Sequence, residues 1–281
     1  MLSILFGLGS ALSWGAGDFT GGIAARKTGA YRTVFYGEVI GIFVLVFVIA
    51  IFGESIPNGR TWFFAVLAGV MGTMGLILLY HSMTLGLMSI AAPVSALLAA
   101  ALPVVVGIFR EGFPEWMTFI GFGFALFAVW MISQGAGGIK DIFSHLSDLK
   151  LPLLAGIGFG LYFVLMHEAT NTGATIWPMV ASRFGGLAAV TTHMLITRSS
   201  WKVEDSSAWP IITLNGVLDI SGNVFFILAS QTGRLDVAAV LSSLFPGSTV
   251  LLAWIFLKER LTRNQWIGIL SALTAIVLMT I

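Results

Sequence analysis

Two stretches decide the fold when set side by side: WFFAVLAGVMGTMGLILLYHSMTLGLMSIAAPVS at 62–95 and WPIITLNGVLDISGNVFFILASQTGRLDVAAVLS at 209–242. At a constant offset of 147, Trp62 meets Trp209, Gly69 meets Gly216, Gly75 meets Gly222 and Gly86 meets Gly233. Ala91-Ala92 meets Ala238-Ala239, Ser95 meets Ser242, and further on Gly121 meets Gly268. Upstream, with a three-residue change of offset, KTGA at 27–30 meets NTGA at 171–174. Gly and Ala are common in this chain, so each match is cheap alone; a shared offset over some sixty residues is not. The chain reads as one unit written twice.

The apolar runs inside the repeat are long and continuous, and they extend outward over the whole chain. Of 281 residues, 57% are hydrophobic, 33 are Gly, and 10% are charged. Mean hydropathy is +0.96. Soluble chains carry about 25% charged residues, and so few charges cannot cover a soluble surface. A hydrocarbon core takes roughly 20 helical residues per crossing. Ten spans are expected, over 3–24, 33–53, 62–84, 88–109, 116–134, 151–169, 176–197, 209–230, 235–257 and 264–280. Polar breaks such as ARKTGAYR, ESIPNGRT, REGFPE and TRSSWKVEDSS separate them. The break between the third and fourth is only TLGLMS, which demands a tight hairpin. A membrane β-barrel would instead show short segments with period-two alternation. Met1 to Gly17 lacks a positive leading region and a small-residue cleavage site, so it reads as a retained first helix and not a signal peptide.

The fold class that follows is an all-α integral membrane protein: ten transmembrane helices in two inverted five-helix repeats, over 1–137 and 149–281, joined by a linker at 138–148. Five is odd, so the second unit enters the membrane opposite to the first, and inverted repeats are a transporter architecture. Loops after the odd-numbered spans hold ten Lys and Arg, and the opposite side holds Arg60, Arg110 and Arg234. The positive-inside rule then puts both termini outside. Trp62, Trp116, Trp201, Trp209 and Trp266 lie near span ends, as headgroup-zone rings do.

Composition also excludes. A net charge of +1 gives no basic field for nucleic acid, and zero Cys removes disulfides and thiolate metal sites. Four scattered His residues give no metal spacing; His167-Glu168 lacks the second His of H-E-x-x-H because position 171 is Asn. No P-loop occurs, no nucleophile–base constellation stands out, and the short loops leave no soluble catalytic domain. An enzyme is not expected, nor a cofactor, nor a metal.

Ionisable groups at membrane depth are costly and face a bundle interior or a wet cavity. The candidates are Asp18, Glu38, Arg183 and Asp219, with His81, His167 and Glu168 nearer span ends. Asn215, Asp219 and Asn223, at i, i+4 and i+8, share one helix stripe of donors and acceptors. Arg183 needs a counter-charge; Asp219 on the next span and Glu38 across the halves are the partners to expect, and a substrate carboxylate is the alternative. The candidate substrate-binding set is Arg183, Asn215, Asp219, Asn223, Trp14, Tyr80 and His81, with Asp18 and Glu38 as proton carriers. Interhelical hydrogen bonding is the structural alternative for all of them. Gly17-xxx-Gly21, Gly37-xxx-Gly41 and Gly156-xxx-Gly160 are expected to let helices approach closely. Pro93, Pro103 and Pro246 lie inside spans, where a missing N–H and a ring clash bend a helix.

The turns FREGFPEW at 109–116 and FLKERLTRNQWIG at 256–268 resemble the Leu-Gly-Glu-Arg-Leu-Thr turn that occurs twice in the EamA branch of the drug/metabolite transporter superfamily. Glu111 matches the first copy's acid, while Glu259, Arg260 and Thr262 match the second. ALSWGAGDF at 11–19 resembles that family's first helix, and ASRFGG at 181–186 its Arg-containing stretch in the seventh. The first turn departs from the pattern, with Gly112-Phe113-Pro114 in place of Arg-Leu-Thr. The resemblance spans essentially the whole chain. It implies secondary transport of a small polar metabolite, amino-acid-like or drug-like, often as export and without ATP, in a prokaryotic inner (plasma) membrane. For several bacterial relatives it also implies termini inside, against the Lys/Arg count. A lipid or lipid-linked-sugar flippase and a facilitative sugar or metabolite carrier are the alternative functions. Expected partners are a small-molecule substrate, protons and the bilayer, without nucleic acid, in a monomer or homodimer.

Overall fold

A computed structural model describes residues 1–84, 88–132, 150–171, 173–257 and 261–279. The TLGLMS hairpin, the 138–148 linker, Glu259 and Arg260 therefore lie wholly or partly outside the described residues. Every regular element among those described is helical: α1 (Leu2–Thr28), α2 (Ala30–Phe52), α3 (Gly59–Thr84), α4 (Met88–Glu111), α5 (Trp116–Ile132), α6 (Lys150–Thr170), α7 (Ile176–Ile196), α8 (Trp209–Thr232), α9 (Leu235–Ser242), α10 (Phe245–Leu257) and α11 (Arg263–Leu278), with one 3₁₀ turn at Ser206–Ala208.

Local chemistry sets the ends. Gly53, at φ 66°, closes α2 in the left-handed conformation that a Cβ disfavours. Asp205 accepts from the Ser207 N–H at the 3₁₀ turn, and Pro210 sits in the first turn of α8, where its missing N–H costs nothing. Thr262 and Gln265 form a reciprocal capping box at α11.

The described residues of each expected span lie largely on helix, with one revision. The ninth is not continuous: it breaks at Ser243-Leu244, between α9 and α10. Pro246 explains the place, since it becomes an early residue of a new helix and needs no N–H partner there. By contrast α4 runs without interruption through Pro93 and Pro103. Among the described residues, seven helical stretches are long and apolar enough to cross a bilayer: Ala30–Ile51, Gly59–Ser82, Val94–Glu111, Lys150–Thr170, Ile176–Ile196, Ser206–Thr232 and Leu235–Phe256. α5, at Trp116–Ile132, is a shorter apolar helix. Large apolar side chains such as Leu12, Phe43, Phe47 and Leu270 point outward, as an apolar solvent requires. This is a multi-pass membrane protein.

The helices pack in exchanged sets. α1 lies along α8 and α3 along α6; α4 packs on α6, and α1 on α9 and α10; α5 pairs with α11, and α2 with α7. One glycine of each expected small-residue pair sits in a tight contact, but only the Gly156 and Gly160 pair presses on a neighbouring helix backbone; Gly21 and Gly41 meet side chains. A Cβ on Gly21 would strike the Tyr80 hydroxyl and the Asn215 amide, one on Gly41 would press on the Arg183 side chain, and one on Gly156 would meet the Ser95 carbonyl.

Candidate functional site

Helices α1, α2, α3, α7 and α8 converge on four charged side chains. Arg183 projects from α7, seven residues past the helix start. Its Nη1 donates to Glu38 Oε2 at 3.0 Å and its Nη2 to Asp219 Oδ2 at 2.5 Å. Arg183 is 8% exposed and Glu38 5%, so burial and mutual charge compensation come together. Both partners expected from the sequence are present, one from each half of the chain.

Further hydrogen bonds orient the carboxylates. Thr73 on α3 donates to Glu38 Oε1 at 2.8 Å. Asn223 donates to the Asp219 carbonyl at 2.8 Å and to its Oδ2 at 3.2 Å, and the Tyr162 hydroxyl donates in turn to Asn223 Oδ1. Asn215 turns the other way and donates to the Gly17 carbonyl on α1 at 2.8 Å. The 215–219–223 stripe thus ties α8 to α1, α6 and α7 at three successive turns.

These groups border two cavities. The larger, about 90 Å³, is lined by Trp14, Asp18, Glu38, Arg183, Asp219 and Asn223, with Thr73, Phe159, Tyr162, Phe163 and Phe245 among the remaining walls. The smaller, about 20 Å³, shares Trp14, Asp18, Glu38, Arg183 and Asp219, and adds Val34, Tyr80 and Asn215. On one flank Trp14 stacks on Phe163 (5.5 Å between ring centroids) and Phe163 on Phe226 (4.6 Å). Asp18 is half-buried and borders both cavities. It forms no hydrogen bond or ion pair with any described residue. His81 follows Tyr80 on α3 but lies outside the lining of both cavities. Every other member of the candidate substrate-binding and proton-carrying sets lines at least one of them, whereas His167 and Glu168 line neither.

Sequence reading missed Thr73, Phe163, Phe226 and Phe245. A Thr or Phe at membrane depth demands no counter-charge, and Phe occurs 22 times. It also missed what positions α7. Glu54, just beyond α2, accepts the N–H groups of Thr175 (2.7 Å), Ile176 (2.9 Å) and Trp177 (2.8 Å), while its carbonyl accepts from Trp177 Nε1 at 2.9 Å. Four orphan N–H groups open every α-helix; here three are met by one carboxylate from the other half, which also suits the helix dipole. On the same side, Glu168 on α6 pairs with Arg110 and with Arg60, the latter at 3.6 Å.

Among the described residues no group of three or more His, Asp or Glu side chains gathers as a metal site would require. What the arrangement offers is a cavity bordered by both halves of the chain, with Arg183 bonded to a carboxylate from each.

Such an arrangement defines a membrane transport protein. The chain belongs to the EamA-like transporter family, which it matches twice, over residues 1–134 and 148–281. It is 33% identical over 79 residues to an uncharacterized protein of Methanocaldococcus jannaschii; the match spans 28% of this chain and 58% of that protein's length. Its fold is similar to a solved structure titled "Crystal structure of protein", with a TM-score of 0.79 and 17% identity, covering 99% of this chain and 96% of the other.

Proposed function

We propose that the protein is a secondary active transporter that exports a small polar metabolite by alternating access between two inverted five-helix halves. The observation that carries this reading is the buried Arg183, bonded at once to Glu38 of the first half and Asp219 of the second, on the wall of a cavity between them. A bridge with alternatives on both sides can trade partners as the halves rock, and a site at the repeat interface is where such transporters hold cargo. The exchanged packing of the helices and the two family matches support division into two repeats. The ten-to-three Lys/Arg asymmetry supports an orientation with both termini outside. A reporter active only in the cytoplasm, fused to the C-terminus, is expected to stay silent.

Asp18 and Glu38 are the carboxylates proposed to carry coupling protons. Purified protein in liposomes, given a metabolite panel with and without an imposed pH gradient, tests the reading. Saturable flux accelerated by the gradient is expected. Saturable flux indifferent to the gradient would remove the proton, and no saturable flux with any compound would remove the transporter.

A further inference from the structure

The charges around the cavities do not balance. Three carboxylates, Asp18, Glu38 and Asp219, line both spaces, and Arg183 is the one Lys or Arg among their described lining residues. Arg183 is already spent on Glu38 and Asp219, and Asp18 has no hydrogen-bond or ion-pair partner among the described residues. We infer that the cargo is a small organic cation that carries an ammonium group and no carboxylate, held with its ammonium at Asp18. This inference rests on the transporter reading and names its substrate class.

Desolvated charge needs a counter-charge, and a cationic cargo supplies the one the protein lacks. An anion would enter a space already rich in carboxylate. A zwitterion would bring a second carboxylate, and the guanidinium that would receive it is engaged on both sides. Accepting it would leave Glu38 or Asp219 buried without its partner. The remaining walls match the rest of such a molecule. Trp14 stands four residues before Asp18 on α1, hence on the same face, and an indole beside a carboxylate offers a cation both a ring face and an opposite charge. Phe159, Phe163 and Phe245 complete an apolar wall for a ring or alkyl body. With Asp18 given to the cargo, Glu38 becomes the carboxylate left for the proton.

The test is a charge series on one body: phenethylamine, phenylalanine and phenylacetate, with net charges of +1, 0 and −1. Binding to the purified full-length protein in detergent is measured by calorimetry, and flux in proteoliposomes. Phenethylamine is expected to bind at least tenfold more tightly than the other two and to compete with itself for transport. D18N is expected to weaken its binding tenfold or more, and D18E to retain most of it, each with a melting temperature close to that of the unaltered protein. If D18N does not fold, the charge series on the unaltered protein still decides. Equal or tighter binding of phenylalanine or phenylacetate, no binding of phenethylamine, or undiminished binding by a folded D18N would overturn the cation. Saturable flux of some other metabolite would then leave the transporter standing. Conversely, phenethylamine bound at Asp18 but never moved, with no flux of any panel compound, would keep the cation site and discard the transporter.

Discussion

The α3–α7 and α2–α8 contacts join corresponding elements of the two halves, yet they are packed differently. Between α3 and α7 the backbones touch: a Cβ on Gly69 would collide with the Ser182 carbonyl, and one on Gly185 with the Val66 carbonyl. Between α2 and α8, Gly216, which matches Gly69 at the offset of 147, leaves 3.2 Å from a built Cβ to the Gly37 carbonyl and to Ile40. Gly41, which matches Gly185 at the offset of the KTGA and NTGA segments, meets only the side chains of Arg183 and Ile220. One interface is closed by backbone; the other is looser, with a backbone carbonyl at 3.2 Å and otherwise side chains that can change rotamer. The closed one lies toward the start of α7, on the side where Glu54 caps that helix and Glu168 pairs with two arginines. On the proposed reading, one repeat unit is held in two packings, and the cavity is sealed more firmly on that side than on the Lys/Arg-rich one.

The largest effect is expected where both interfaces meet, at Arg183. Arg183→Leu strands Glu38 and Asp219 in the interior, and removing one partner of a buried pair costs about 3–5 kcal/mol. Thermal unfolding in detergent should show this, and adding Glu38→Gln and Asp219→Asn should recover a good part. Next comes the direct contrast. Gly69→Ala forces backbone apart and should cost about 1–3 kcal/mol, as overpacking does. Gly216→Ala should cost well under that; equal losses in the two variants would erase the difference claimed between the interfaces. Glu54→Gln weakens an anionic cap, and caps are worth about 0.5–2 kcal/mol. Its signature is local: faster hydrogen exchange at residues 175–177, with α8 unchanged.

The smallest effect belongs to the Lys/Arg-rich face. Hydrogen bonds from Ser207 hold the exposed Asp205 carboxyl below its ordinary range, with Lys27 at 3.8 Å adding to them. A depressed carboxyl contributes stability above its unfolded pKa and loses it as pH falls through the folded value. Asp205→Ala should therefore differ slightly from the unaltered protein at neutral pH and converge with it in acid. A melting-temperature difference that persists at low pH would contradict that assignment.

What was legible in the sequence follows from which residues impose demands. Twenty apolar residues in a row leave few structures open to them, so the spans could be read directly. Arg183 had to find carboxylates, and the chain offers few at that depth, so Glu38 and Asp219 were readable as its partners. The break at Ser243-Leu244 was not readable, because Pro93 and Pro103 carry the same local signal and α4 absorbs both. The Glu54 cap was also invisible: its helix begins 121 residues away, and nothing local links them. The site itself departs from the repeat that revealed the fold. At the offset of 147, Asp219 falls opposite Gly72 and Asn223 opposite Leu76. Repetition preserves the glycines that set helix spacing, while Asp219 and Asn223 have no polar counterpart at the matching positions of the other copy.

The span of the Arg183–Glu38 bond, 145 residues, has a consequence for how the molecule is made. Ribosomal synthesis delivers Asp18 and Glu38 first, in helices that must enter the bilayer while their counter-charge is still untranslated. The first five helices are therefore an unfinished object, carrying exposed acid until α7 arrives to neutralise it. Chains truncated before α7 should be poor inserters and early substrates for membrane quality control. The two halves expressed as separate polypeptides should each accumulate only in the other's presence.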